Sequence, residues 1–142
     1  MIRPLGALLL LSGPALGWEF TPRPVCTLGH ADGAAEVTVT YDPRSPEPYA
    51  IRVVLAEGGW GAGPVFSIRF EGARPLTIST GRHVVAGAAL TVTDRGFGNV
   101  LAGIEAGGTM VAATGGREVT VPLAGAAGPV AAFRACTEAG VA

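Results

Sequence analysis

The sequence predicts a mainly β fold: an antiparallel β-sandwich or flattened barrel with a short C-terminal helix. Three observations carry that expectation. Apolar and polar side chains alternate with period two over most of the chain, clusters of glycine and proline break the alternation into short runs, and helical spacing takes over near the C-terminus.

Taken in order, the runs are as follows. Val37, Val39 and Tyr41 alternate with Glu36, Thr38 and Thr40. Successive strand side chains point to opposite faces, so this run has one apolar face and one polar face. Tyr49, Ile51, Val53 and Leu55 share a face opposite Ala50 and Arg52, and Phe66, Ile68 and Phe70 oppose Ser67, Arg69 and Glu71. Leu76 and Ile78 oppose Thr77 and Ser79; Leu90 and Val92 oppose Thr91 and Thr93; Val119, Val121 and Leu123 oppose Glu118 and Thr120. Thr109 to Thr114 alternates less cleanly, but Gly115-Gly116 suits a two-residue hairpin turn that would pair it with the last run.

Turn chemistry separates these strands. Asp42 to Pro48 carries three prolines and cannot supply a regular ladder, and Gly58 to Pro64 is glycine-rich. Gly72-Ala73-Arg74-Pro75 and Gly81 mark tighter breaks. Asn99 to Ile104 suits a short helix with Val100, Leu101 and Ile104 on one side. Pro129 fits the first turn of a helix, where its missing N–H costs nothing, and Val130, Phe133 and Cys136 then fall on one face, with Gly140 as the stop.

Residues 1–17 read as a secretory signal peptide: Arg3 is the positive start, Leu5 to Leu11 with Leu16 the short apolar core, and Ala15-Leu16-Gly17 a small-x-small cleavage site. The apolar stretch is shorter than the roughly 20 residues a bilayer span needs. Trp18 rather than cysteine follows the cleavage site, so no lipid anchor and no membrane insertion are expected after cleavage. That leaves 18–142 as a single β-rich domain in the periplasm or outside the cell. An even pair of cysteines in an oxidising compartment is most simply a disulfide, Cys26 to Cys136, which would tie the start of the domain to its C-terminal helix.

Charge narrows the function classes. All ten basic residues are arginine, set against eleven acids. A surface so balanced gives no field for nucleic acid or an anionic membrane. The phosphate-loop motif needs a lysine that this chain lacks, and Gly96-Phe97-Gly98 has no third glycine for a dinucleotide fingerprint, so no cofactor is expected. No metal is expected either. His30 and His83 stand far apart with no His or Cys partner at ligand spacing, and His30-Ala31-Asp32 reads as a flexible loop with two ligands at best.

Polar functional groups concentrate between Ser79 and Asn99. A hydrolase reading would take Ser79 as nucleophile, His83 as base and Asp94 as its orienter. Strand parity opposes it, because Ser79 lies on a polar face and Asp94 continues the face of Leu90 and Val92; no G-x-S-x-G elbow occurs. The plainer reading makes Asp94-Arg95-Gly96 a strand-end turn whose carboxylate accepts backbone N–H groups or pairs with Arg82 or Arg95. As a binding site, Arg82, His83 and Arg95 would hold a small anion or carboxylate, with Asn99 beside them. Trp60, in its glycine-rich loop, is either a contact for a ligand or a lid folded back over the core, and burial of its large ring favours the lid.

At Leu76-Thr77-Ile78-Ser79-Thr80 with His83, at Leu90 to Leu101 and at Phe133-Arg134-Ala135-Cys136, the chain resembles a group of small uncharacterised exported proteins from alphaproteobacteria. The resemblance covers most of 18–142, and Asp94-Arg95-Gly96-Phe97-Gly98-Asn99-Val100-Leu101 is its most specific stretch. It implies no activity and transfers no catalytic residue. Some members carry the label of an excision-repair helicase subunit, which the missing lysine and the short chain contradict. The expectation is a non-enzymatic periplasmic module that binds a protein or small ligand. The alternatives are a small hydrolase using Ser79, His83 and Asp94, or an enzyme inhibitor presenting the Pro43–Pro48 or Gly58–Pro64 loop.

Overall fold

Alternating apolar side chains do build strands here, and the computed structural model describes them over residues 17–139. The strands are β1 (Glu19–Thr21), β2 (Cys26–Ala31), β3 (Ala35–Tyr41), β4 (Tyr49–Leu55), β5 (Phe66–Glu71), β6 (Leu76–Thr80), β7 (Val84–Ala86), β8 (Ala89–Asp94), β9 (Thr109–Thr114) and β10 (Arg117–Pro122). Helix α1 (Gly98–Glu105) sits between β8 and β9, and α2 (Ala127–Ala139) follows β10. The strands form a six-stranded sheet in the order β1-β2-β3-β4-β8-β7 and a four-stranded sheet in the order β10-β9-β5-β6. All pairs are antiparallel, and the two sheets pack as a sandwich.

Register follows from the alternation, since a slip of one residue would turn every apolar side chain to solvent. Val37 and Val39 on β3 pair with Val53 and Ile51 on β4, and all four are buried. Phe66, Ile68 and Phe70 of β5 face them from the other sheet, also buried. Each such side chain contributes roughly 1.5 to 3 kcal/mol by leaving water. Gly115 and Gly116 make the β9–β10 turn with φ of +59° and +77° respectively, as a two-residue hairpin of this hand requires.

Both helices seal the sandwich. α2 packs on β1, β2 and α1, with Val130 and Phe133 fully buried. Cys136 on this helix is bonded to Cys26 at the start of β2, with Cα atoms 5.9 Å apart. In α1, Val100, Leu101 and Ile104 are buried, and Gly103 lies so close to the Phe70 ring that a Cβ there would meet it at 2.5 Å.

The N-terminal region departs from the sequence reading. Cys26–Ala31 is a strand, and His30 on it is buried rather than in a flexible loop. Its ring stacks on Trp18 with centroids 5.2 Å apart, and Trp18 Nε1 donates to the Pro122 carbonyl at 2.9 Å. The polar and glycine content of this stretch hid its period of two. β1 and β7, three residues each, are too short to show any period. Residues 1–16 of the expected signal peptide and Gly140 at the expected helix stop lie outside the described residues.

Candidate functional site

The sandwich is not sealed all round. β6 is the edge of the four-stranded sheet, and its alternation turns Leu76, Ile78 and Thr80 inward and Thr77 and Ser79 outward. The inward residues are only half-buried, and so is Val92 facing from β8. Between these strands and the start of α1 lies a cleft of about 530 Å³. Ile51, Phe66, Ile68, Ile78, Val92 and Val100 give it an apolar floor; Thr80, Arg82, Asp94 and Asn99 stand at its rim. Cavities of this size and mixture commonly take small organic ligands or inserted side chains.

Glu47 organises the rim. Its Oε1 accepts from the Thr93 hydroxyl at 2.6 Å, and its Oε2 accepts from the Arg82 guanidinium. The Thr93 hydrogen bond, then Arg82 and the charge of Arg95, hold its carboxyl below the usual range despite some desolvation. Arg82 Nη1 also lies 4.0 Å from Asp94 Oδ1, which accepts the Arg95 N–H at 2.7 Å. Two arginines and two acids therefore meet here, and the rim carries no net charge. Glu47 had no signal in the sequence, because it reaches Arg82 from 35 residues away inside a proline-rich loop. Beside the rim Phe97, the residue just before α1, stacks on Tyr49 with centroids 5.5 Å apart, and Gly96, Gly98 and Asn99 lie along the cleft.

The five candidate ligand-binding residues separate into two groups. Arg82 and Asn99 line the cleft, and Arg95 is exposed next to Asp94. His83 and Trp60 do not line it; both pack on Phe66 from behind. His83 Nε2 donates to the Gly63 carbonyl at 2.9 Å, which leaves its Nδ1 buried without a partner. Trp60 is 6 % exposed and its indole N–H donates to the Val53 carbonyl at 3.2 Å, the position of a lid.

Ser79, His83 and Asp94 do not converge. Ser79 and Asp94 both lie along the cleft, on strands of opposite sheets, but the His83 ring is outside it and turned to Gly63, so no hydrogen bond joins the three. Both loops proposed for an inhibitor are anchored to the body. Gly58–Pro64 is pressed onto the β9–β10 hairpin, where a Cβ on Gly61 would meet the Gly115 carbonyl at 2.4 Å. The Asp42–Pro48 loop is tied internally by Asp42 N–H to the Pro48 carbonyl at 2.8 Å and externally by Glu47.

Elsewhere, His30 Nε2 lies 3.1 Å from Asp32 Oδ2. Desolvation pushes the Asp32 carboxyl up, but the Ala34 N–H, His30 and the Ala35 N–H outweigh it and leave the group below its ordinary value. Among the described residues no cluster of three or more His, Cys, Asp or Glu side chains is placed to hold a metal ion. No helix among them is long and apolar enough to cross a membrane. No known family model, curated protein or solved structure matches the chain.

Proposed function

We propose that this protein is a non-enzymatic binding module of the bacterial envelope, and that it groups with the small exported alphaproteobacterial proteins it resembles. The disulfide and the absence of a membrane-crossing helix among the described residues are consistent with a periplasmic or secreted protein. One observation supports the binding reading above the others: apolar side chains that belong to a sandwich interior stand half-open in a cleft with a charge-balanced rim. Leaving Ile78 and Val92 partly wet forgoes burial energy that a tighter edge would capture. An apolar group inserted between them recovers it, while Arg82, Asp94 and Asn99 orient whatever polar part remains outside.

The test uses N-phenyl-1-naphthylamine, a neutral apolar dye that brightens out of water. The protein is expected to bind it, and Ile78→Arg, which places a long charged side chain in the cleft, is expected to reduce binding at least tenfold with the melting curve still cooperative. Equal dye binding by the variant, or none by the unaltered protein, overturns the assignment.

A further inference from the structure

The four sheet edges are not alike. β1 and β7 are three residues long, and β1 carries Glu19. β10 carries Arg117 and Glu118 and ends on Pro122. Short length, charge and proline are the devices by which natural sheets prevent foreign strands from pairing with them. β6, Leu-Thr-Ile-Ser-Thr, has five residues and none of these devices. On its outer side no strand among the described residues pairs with it. In an antiparallel ladder alternate residues of an edge strand turn their N–H and C=O groups away from the partner, so β6 offers a row of unmade backbone hydrogen bonds. That row borders the cleft into which its own Ile78 and Thr80 face.

We infer that the occupant of the cleft is an extended peptide segment of another protein, added as a fifth strand to β6 with alternate apolar side chains inserted between the sheets. This rests on the binding reading above and narrows it to one class of partner. Main-chain hydrogen bonds would supply affinity, and the cleft would select side chains at every second position. Charge at the edge sets the orientation. Arg74, just before β6, is exposed and makes no ion pair among the described residues, whereas Arg82, just after it, is already held by Glu47. An antiparallel partner therefore gains from an acidic residue at its C-terminal end, opposite Arg74. A second copy of this chain paired about Ile78 offers Arg82 at that place, which is why the partner is a different protein.

The probe is a pool of seven-residue peptides, acetylated and amidated, with Val, Ile, Leu or Phe at alternate positions, Ser or Thr between them and Glu at the C-terminal end. Peptides from the pool are expected to slow hydrogen exchange of alternate β6 amides at least tenfold. N-methylation at alternate peptide positions is expected to weaken binding at least tenfold in one parity and leave the other unchanged. Arg74→Glu is expected to weaken it by up to about fivefold, the range of an exposed ion pair. Dye binding that Ile78→Arg blocks, with no β6 protection by any peptide, overturns this inference and leaves the cleft reading standing. Failure of dye and peptides alike overturns both. Protection of β6 by a concentration-dependent dimer without peptide, seen by light scattering, assigns the edge to a second copy and overturns the choice of partner.

Discussion

Phe133 of α2 and Ile78 of β6 both point into the space between the sheets, yet Phe133 has no exposed surface and Ile78 is only half-buried. The difference lies in what closes each side. Over β1 and β2 the closure is a helix, bolted by Cys136 to Cys26 across 110 residues of sequence and backed by the Trp18–His30 stack. Beside β6 the sheet simply ends, and the core is bounded by α1 and by the Glu47–Arg82 pair at the rim. The same alternating pattern thus yields a sealed side that carries stability and an open side free to carry recognition. A cleft lined by half-wet apolar residues is inexpensive to keep only if the rest of the core is firmly held.

The contrast can be broken most directly by removing the covalent tie. Closing so long a loop restricts the unfolded chain by about 4 to 5 kcal/mol in the loop-entropy account, so Cys26→Ser with Cys136→Ser is expected to lower unfolding stability by that order in urea titrations. A loss under about 1 kcal/mol would mean that α2 stays docked without help. Truncating the two interior residues sharpens the comparison further. Phe133→Ala is expected to cost about 3 to 5 kcal/mol, the range for a buried aromatic, and Ile78→Ala about 1 kcal/mol, because water already reaches it. Equal costs would show that the cleft closes in solution.

The smallest effect concerns the rim. The Glu47 carboxyl is held below its ordinary value of 4.5, chiefly by Thr93 and then by Arg82. A lowered folded value means that its contribution to stability is complete above about pH 4.5 and is lost as the pH falls toward the folded value. Glu47→Gln is therefore expected to lower the urea midpoint slightly at pH 7, with the gap to the unaltered protein shrinking below pH 4.5. A gap that stays constant from pH 7 to pH 3 would remove the carboxylate from any part in holding Arg82.

The candidate site was legible in outline. Ser79, Thr80, Arg82, Asp94 and Asn99 fall in the one stretch dense in polar groups, and the structure gathers them along one cleft. Trp60 and His83 share that neighbourhood but face its back wall, because indole and imidazole N–H groups found carbonyls at Val53 and Gly63. Glu47 was invisible, since nothing local marks a glutamate in a proline loop as the partner of an arginine far along the chain.

Period two in the apolar residues, turn chemistry between them and helical spacing near the C-terminus were enough to place seven of the ten described strands, the β9–β10 hairpin and both helices, because those depend on neighbours in sequence. Tertiary structure alone decided that β1 and β7 become edges, that polar, glycine-containing Cys26–Ala31 becomes a buried strand, and that β6 ends its sheet opposite an open cleft. Each of those outcomes depends on which surfaces meet across the fold, and local propensity carries no record of a contact between residues dozens of positions apart.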